Sequence, residues 1–241
     1  MSSTPNATFP GFETQAIQFL ADLAANNDRS WFQPRKADYE RLLKDPLSSL
    51  VAALAERFAE RGIPMLADPA RSPFRIYRDV RFSKDKSPYK TNIGAGFPWL
   101  EGRSAPAGGL DGEGEGRHDV GGYFHLSPGE IFVGGGMWHP GTAPLAAFRT
   151  AIVQDRRRVH TALDDPGFLA TFGPISGDRL KRVPTGYAAD DPDADLLKLK
   201  DVIFGRRLSD AEATSPGLPD LLADAFVAGT PVFRFLAGLR A

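Results

Sequence analysis

The sequence predicts an α+β fold: a central antiparallel sheet flanked by N-terminal and C-terminal helices. Three observations predict it. Residues 13–62 place apolar side chains at helical spacing. From about Phe74 to Trp138 the pattern turns to alternation punctuated by turn signals. Helical spacing returns from Thr142 to the end. Helices first, strands next and helices last argue against alternating βαβ units. A chain of 241 residues suffices for one large domain or two small ones. The expected division is a disordered tail at 1–12 and a single α+β domain over 13–241, with a Gly-rich insertion at 102–122.

The elements follow in order. Glu13 to Ala25 reads as a helix with Ile17, Leu20, Ala21 and Ala24 on one face. Asn26-Asn27-Asp28 breaks it and caps the next helix, Arg29 to Leu43, in which Pro34 is awkward. Asp45-Pro46 reads as a fresh start, with Leu47, Leu50, Val51, Leu54 and Phe58 inward and Gly62 as the stop. Phe74, Ile76, Val80 and Phe82 alternate with Arg75, Tyr77, Asp79 and Arg81, which predicts a strand. Arg78 breaks that alternation, so an irregular or helical reading stands beside it. Thr91 to Trp99 is a second strand. Gly102 to Gly122 has no periodicity and reads as a flexible insertion, either a long loop or a lid. Val120 to Ser127 and Glu130 to Trp138 form a hairpin about Pro128-Gly129, with Gly134-Gly135-Gly136 marking a bulge or a close backbone approach.

Thr142 caps a helix expected to reach Leu163, and Asp165-Pro166 starts a short one ending at Gly173. Asp193 to Lys200 is a short helix and Val202-Ile203-Phe204 an edge strand. Ser209 to Glu212 has the capping-box pattern. The last helix is expected in two pieces, broken at Gly229 and restarted by Thr230-Pro231.

Composition removes several function classes. No stretch approaches the ~18 apolar residues of a membrane span, so no membrane partner is expected. The first residues have no basic or apolar region of a secretory signal. With no cysteine there is no disulfide, thiolate nucleophile or cysteine metal site, which fits a cytoplasmic setting. The patterns GxxxxGK[ST], GxGxxG and GxSxG are absent. The four histidines show no metal-ligand spacing, so no metal site is expected and no cofactor is assigned.

Charge is distributed unevenly. Residues 74–92, FRIYRDVRFSKDKSPYKTN, hold Arg75, Arg78, Arg81, Lys84, Lys86 and Lys90 against Asp79 and Asp85, a local +4. The whole chain is −1, so the remainder sums to −5. Six cations so close repel one another unless solvated, paired or holding an anion. They are therefore candidate ligand-binding residues for a phosphorylated or carboxylated small molecule, together with Tyr89. Trp138 is a candidate to position it, although tryptophan is more often core. Gly135 would bring backbone amides close. Lys181 and Arg182 form a second, smaller cationic loop that either completes the site or is solvated. Asp79 and His139 are the candidate catalytic residues of a hydrolase or transferase; whether the protein is an enzyme stays open. A nucleic-acid binding module using the same stretch is the alternative, and a structural or partner-binding protein with an internal ion-pair network is the third reading. The oligomeric state is not legible.

Four blocks carry a resemblance: NNDRSWFQPRKADYE from Asn26, the basic stretch from Phe74, GGYFHLSPGEIFVGGGMWHP from Gly121, and GDRLKRVPTGY with LLKLKD from Gly177 to Asp201. The chain resembles an uncharacterised family of bacterial and fungal proteins, the domain of unknown function 2461. The resemblance implies a single-domain, cytosolic-type protein and brings no activity or catalytic residue with it.

Overall fold

The computed structural model describes residues 8–81, 83–101 and 120–239. Helix α1, Thr14–Ala25, buries Ala16, Phe19, Leu20 and Leu23. The buried face is thus turned from the one expected: Ala24 is exposed and Ile17 only half-buried. Asp28 caps α2, Arg29–Phe32, by accepting from Trp31 N at 2.9 Å. A 3-10 turn over Gln33–Arg35 absorbs Pro34, and α3, Lys36–Tyr39, follows. No fresh start occurs at Asp45-Pro46. A π turn, Glu40–Lys44, leads directly into α4, Asp45–Arg61. The Asp45 N–H reaches back to Glu40 O, five residues away, so the chain stays helical across a proline that has no hydrogen to donate. Gly62, in the left-handed region at φ 63°, ends it.

Among the described residues the sheet has four antiparallel strands in chain order. They are β1, Ile93–Pro98, β2, Gly121–Ser127, β3, Glu130–Met137, and β4, Val202–Arg207. The β2–β3 hairpin turns at Pro128-Gly129 as predicted, with Gly129 at φ 75°. Among the described residues of Phe74–Phe82 the expected strand does not form. Its described residues make single bonds instead: Phe74 N to Gly94 O at 2.9 Å, then a bridge between Tyr77 and Tyr89. Arg78, the residue that spoiled the alternation, is where side chains turn to each other rather than to a neighbouring strand. Phe82 lies outside the described residues. So does the Gly-rich insertion up to 119, while its end, Gly121 and Gly122, opens β2.

Between β3 and β4 the chain makes α5, Thr142–Gln154, α6, Arg156–Leu163, α7, Pro166–Phe172, and α8, Ala194–Leu197. The single helix expected to Leu163 is divided because Asp155 leaves helical geometry and caps α6 through Arg158 N. After β4 come α9, Asp210–Thr214, with the predicted capping box, and α10, Leu218–Ala237. Helix α10 is unbroken, contrary to the two-piece expectation. Gly229 is a contact point: a Cβ there would lie 2.7 Å from Phe233 and 3.2 Å from Phe204. Pro231 is tolerated beside Thr230, whose hydroxyl donates to Phe226 O at 3.1 Å.

One face of the sheet makes the core. Phe124, Leu126, Ile131 and Val133 point into it, against Phe58, Phe226 and Phe233 of α4 and α10. Gly122 and Gly135 let α10 approach: a Cβ would lie 2.4 Å from Phe226 and 2.6 Å from Phe233 respectively. Of the expected tail, residues 1–7 lie outside the described residues, whereas Phe9 and Phe12 are buried, Phe12 stacking on Phe124. No helix among the described residues is long and apolar enough to cross a membrane.

Candidate functional site

The cationic stretch folds as an irregular hairpin that extends past the N-terminal end of β1. Lys90 N donates to Ile76 O at 2.7 Å and Arg78 N to Pro88 O at 3.0 Å. Its anchor is Tyr89, 1% exposed, stacked on Phe32 with centroids 4.1 Å apart. Asn27 completes the anchor. Its side-chain amide donates to Tyr89 O at 2.9 Å and accepts from Tyr89 N at 3.1 Å, satisfying both backbone groups as a strand neighbour would. A residue read from sequence as part of a helix break and cap thus holds the basic segment from 62 positions away.

Inside the hairpin the charges are ordered. Arg78 bonds Asp85, which also accepts from the Ser87 backbone and hydroxyl at 2.9 and 2.7 Å. Arg81 forks onto Asp79, Nε to Oδ1 at 3.0 Å and Nη2 to Oδ2 at 2.6 Å. Lys86 donates to Val80 O at 2.9 Å. Arg75 and Lys84 are exposed. Arg81 holds the Asp79 carboxyl down to about 2 through these bonds, and Ser87 and Arg78 hold Asp85 below the usual carboxylate range. Both aspartates are counter-ions in this geometry. A carboxylate so readily ionised is a weak proton acceptor near neutrality.

The hairpin continues into the second sheet face, opposite the core. Lys90 Nζ lies 5.6 Å from the Phe74 ring centroid, and Phe74 stacks on Tyr123 at 5.6 Å. Tyr123, His125 and Ser127 share this face of β2, two residues apart. Ser127 Oγ donates to Glu130 O at 3.1 Å, leaving it to accept from His125 Nε2 at 3.1 Å. His125 Nδ1 then accepts from the Tyr123 hydroxyl at 2.9 Å. The bonding assigns a neutral imidazole protonated on Nε2. Burial agrees, pushing His125 below its ordinary 6.5 and Tyr123 up to about 12. Phe132 stacks on His125 at 4.8 Å and 15°. The period-2 spacing of Tyr123, His125 and Ser127 was the signal for this cluster. Nothing in the sequence showed that it borders the basic hairpin.

The remaining sequence candidates lie elsewhere. The hairpin sits at the sheet end where Ile93, Leu126 and Ile131 are in register; Trp138 and His139 follow the opposite end, where Pro98, Gly121 and Gly136 meet. Trp138 is 63% exposed, so it is not a core residue. His139 adopts φ 45° and its backbone N donates to the buried Asp201 at 2.7 Å. Gly135 is packed under Phe233, between two hydrogen-bonded strands. Lys181 and Arg182 are exposed on a loop alongside β4, where Arg179 bridges Leu199. Strands β1 and β4 are opposite edges of the sheet, so the two cationic loops do not form one site. Among the described residues no group of three or more His, Asp or Glu could hold a metal ion.

These features define an α+β protein with an ordered cationic hairpin joined to an aromatic, histidine-bearing sheet face. The chain belongs to the family described as conserved hypothetical protein (DUF2461), whose model matches residues 15–235. No curated protein and no solved structure matches it.

Proposed function

We propose that the hairpin is a binding site for a small phosphorylated or carboxylated anion. The observation that carries this reading is the anchoring of Tyr89 by Asn27 and Phe32, which holds a +4 segment in a fixed shape on a chain of net charge −1. In-segment pairing with Asp79 and Asp85 orients Arg78 and Arg81 without neutralising the whole. Arg75, Lys84, Lys86 and Lys90 add to the positive potential, and each charge-assisted bond to an anion contributes about 1.5–3 kcal/mol. If the anion is turned over, by hydrolysis or group transfer, the imidazole within reach of the hairpin's neighbours is His125 rather than His139.

Thermal melting against phosphate, sugar phosphates, nucleotides, dicarboxylates and a short oligonucleotide tests the proposal, at low and moderate salt. A ligand at 100 times its Kd stabilises the folded state by about 2.7 kcal/mol. The expected result is a selective rise with a small anion that Arg78→Ala abolishes. A rise with the oligonucleotide alone, erased by salt, would instead support nucleic-acid binding. A rise unchanged in folded Arg78→Ala and Lys90→Ala proteins would place binding away from the hairpin.

A further inference from the structure

We infer that the ligand carries a flat unsaturated ring beside its anionic group, seated on the second sheet face. This rests on the anion-binding reading above and names its ligand class. The strand register puts Tyr123, His125 and Phe132 on that face, with Phe74 stacked from the hairpin. It also puts Gly94 and Gly96 of β1 and Gly134 of β3 directly across from these rings. Tyr123 packs down over Gly94, where a Cβ would lie 2.8 Å from the tyrosine hydroxyl, so the rings lie close against the β1 backbone. Exposure separates the two faces: Phe124 and Val133 of the core face are fully buried, while Tyr123, His125 and Phe132 are half-buried and Gly205 and Arg207 are exposed.

The chemistry of this face suits a conjugated ring better than a sugar or an aliphatic acid. Aromatic side chains offer faces and edges to a planar partner. Asn92 Nδ2, 3.5 Å from His125 Nδ1, and the Tyr123 hydroxyl supply polar groups at the cluster's margin. Cations stand on both sides: the Lys90 ammonium over Phe74, and Arg207, 77% exposed and 3.9 Å from Glu130. A ring on the cluster thus has its anionic substituent within the field of the hairpin, and charge complementarity fixes which end points there.

The test uses matched anions by calorimetry and NMR on the full chain. Inorganic phosphate and glycerol phosphate carry the charge alone; phenyl phosphate, adenosine monophosphate and uridine monophosphate add a ring. At least one ring-bearing anion is expected to bind roughly tenfold or more tighter than the ringless pair, with ring-current shifts at His125 and Phe132. Phe132→Leu keeps the apolar bulk and should bring that affinity down to the ringless level. Arg78→Ala should weaken both sets. Equal affinity for ringed and ringless anions would overturn the ring proposal and leave the anion site standing. Binding of neither set would overturn the anion site itself. An oligonucleotide that binds tighter than every mononucleotide, with a salt slope of several phosphates, would overturn the small-ligand assignment.

Discussion

Replacing Asn27 with alanine removes both hydrogen bonds that hold the Tyr89 backbone, at 2.9 and 3.1 Å. Tyr89 is 1% exposed and packed on Phe32, so water reaches its peptide groups poorly. An unsatisfied buried backbone group costs about 1–3 kcal/mol, so two orphaned together give an expected loss of roughly 2–6 kcal/mol. The lower figure applies if the hairpin relaxes and lets water in. Asn27→Asp keeps the acceptor for Tyr89 N but sets a carboxylate against Tyr89 O, so its loss should be no smaller. Urea unfolding reads this as a lower midpoint at unchanged slope. Hydrogen exchange locates it, with the Tyr89 amide losing protection before the amides of β2 and β3. A midpoint shift worth under about 0.5 kcal/mol, or unchanged exchange at Tyr89, would refute the claim that Asn27 anchors the hairpin.

Other expectations concern different parts of the molecule. His160 is clamped between Asp164 at 2.8 Å and Asp193 at 2.9 Å, and Asp193 is also bonded by Arg156, itself paired with Asp191 at 2.7 Å. The bond to Asp164 raises the imidazole above its ordinary 6.5, against opposing burial and with Asp193 adding to the rise. The folded state therefore binds the proton more tightly than the unfolded state. The contribution is fully present below pH 6.5 and is lost as pH rises through the raised value. His160→Gln should flatten that part of the stability profile; an unchanged profile would refute the clamp. His125 has the opposite sign: its lowered value makes stability fall as pH drops through 6.5 and below, and His125→Gln should remove that slope. Gly135→Ala would put a Cβ 2.5 Å from Gly121 O and 2.6 Å from Phe233, and should cost about 1–3 kcal/mol in chemical denaturation. Gly129→Ala, with nothing within 4 Å and only φ 75° against it, should cost about 1 kcal/mol.

Much of the fold was legible because it follows from local chemistry. Pro128-Gly129, the Ser209 capping box, the Asp165-Pro166 start and the apolar stripe of α4 all act within a few residues. The errors arose where distant packing prevails over local preference. Gly229 and Pro231 look like a helix break until Phe204 and Phe233 are seen against Gly229. Alternation alone suggested a strand at Phe74, but Arg78 pairs within its own hairpin and Tyr89 is held by Asn27. The candidate site divided in the same way. The charge density of 74–92 was visible directly. That Tyr123 and His125 border it, and that Trp138, Gly135, Lys181 and Arg182 do not, depends on strand register. Spacing along one chain cannot supply that.

The most direct measurement is a two-dimensional amide NMR titration with phenyl phosphate at low salt. An anion held by the hairpin with its ring on the sheet face predicts shifts confined to residues 74–81 and 83–92 and to Tyr123, His125 and Phe132, abolished by Arg78→Ala. Shifts centred on Trp138 and the Lys181 loop, or none at saturating ligand, would contradict it.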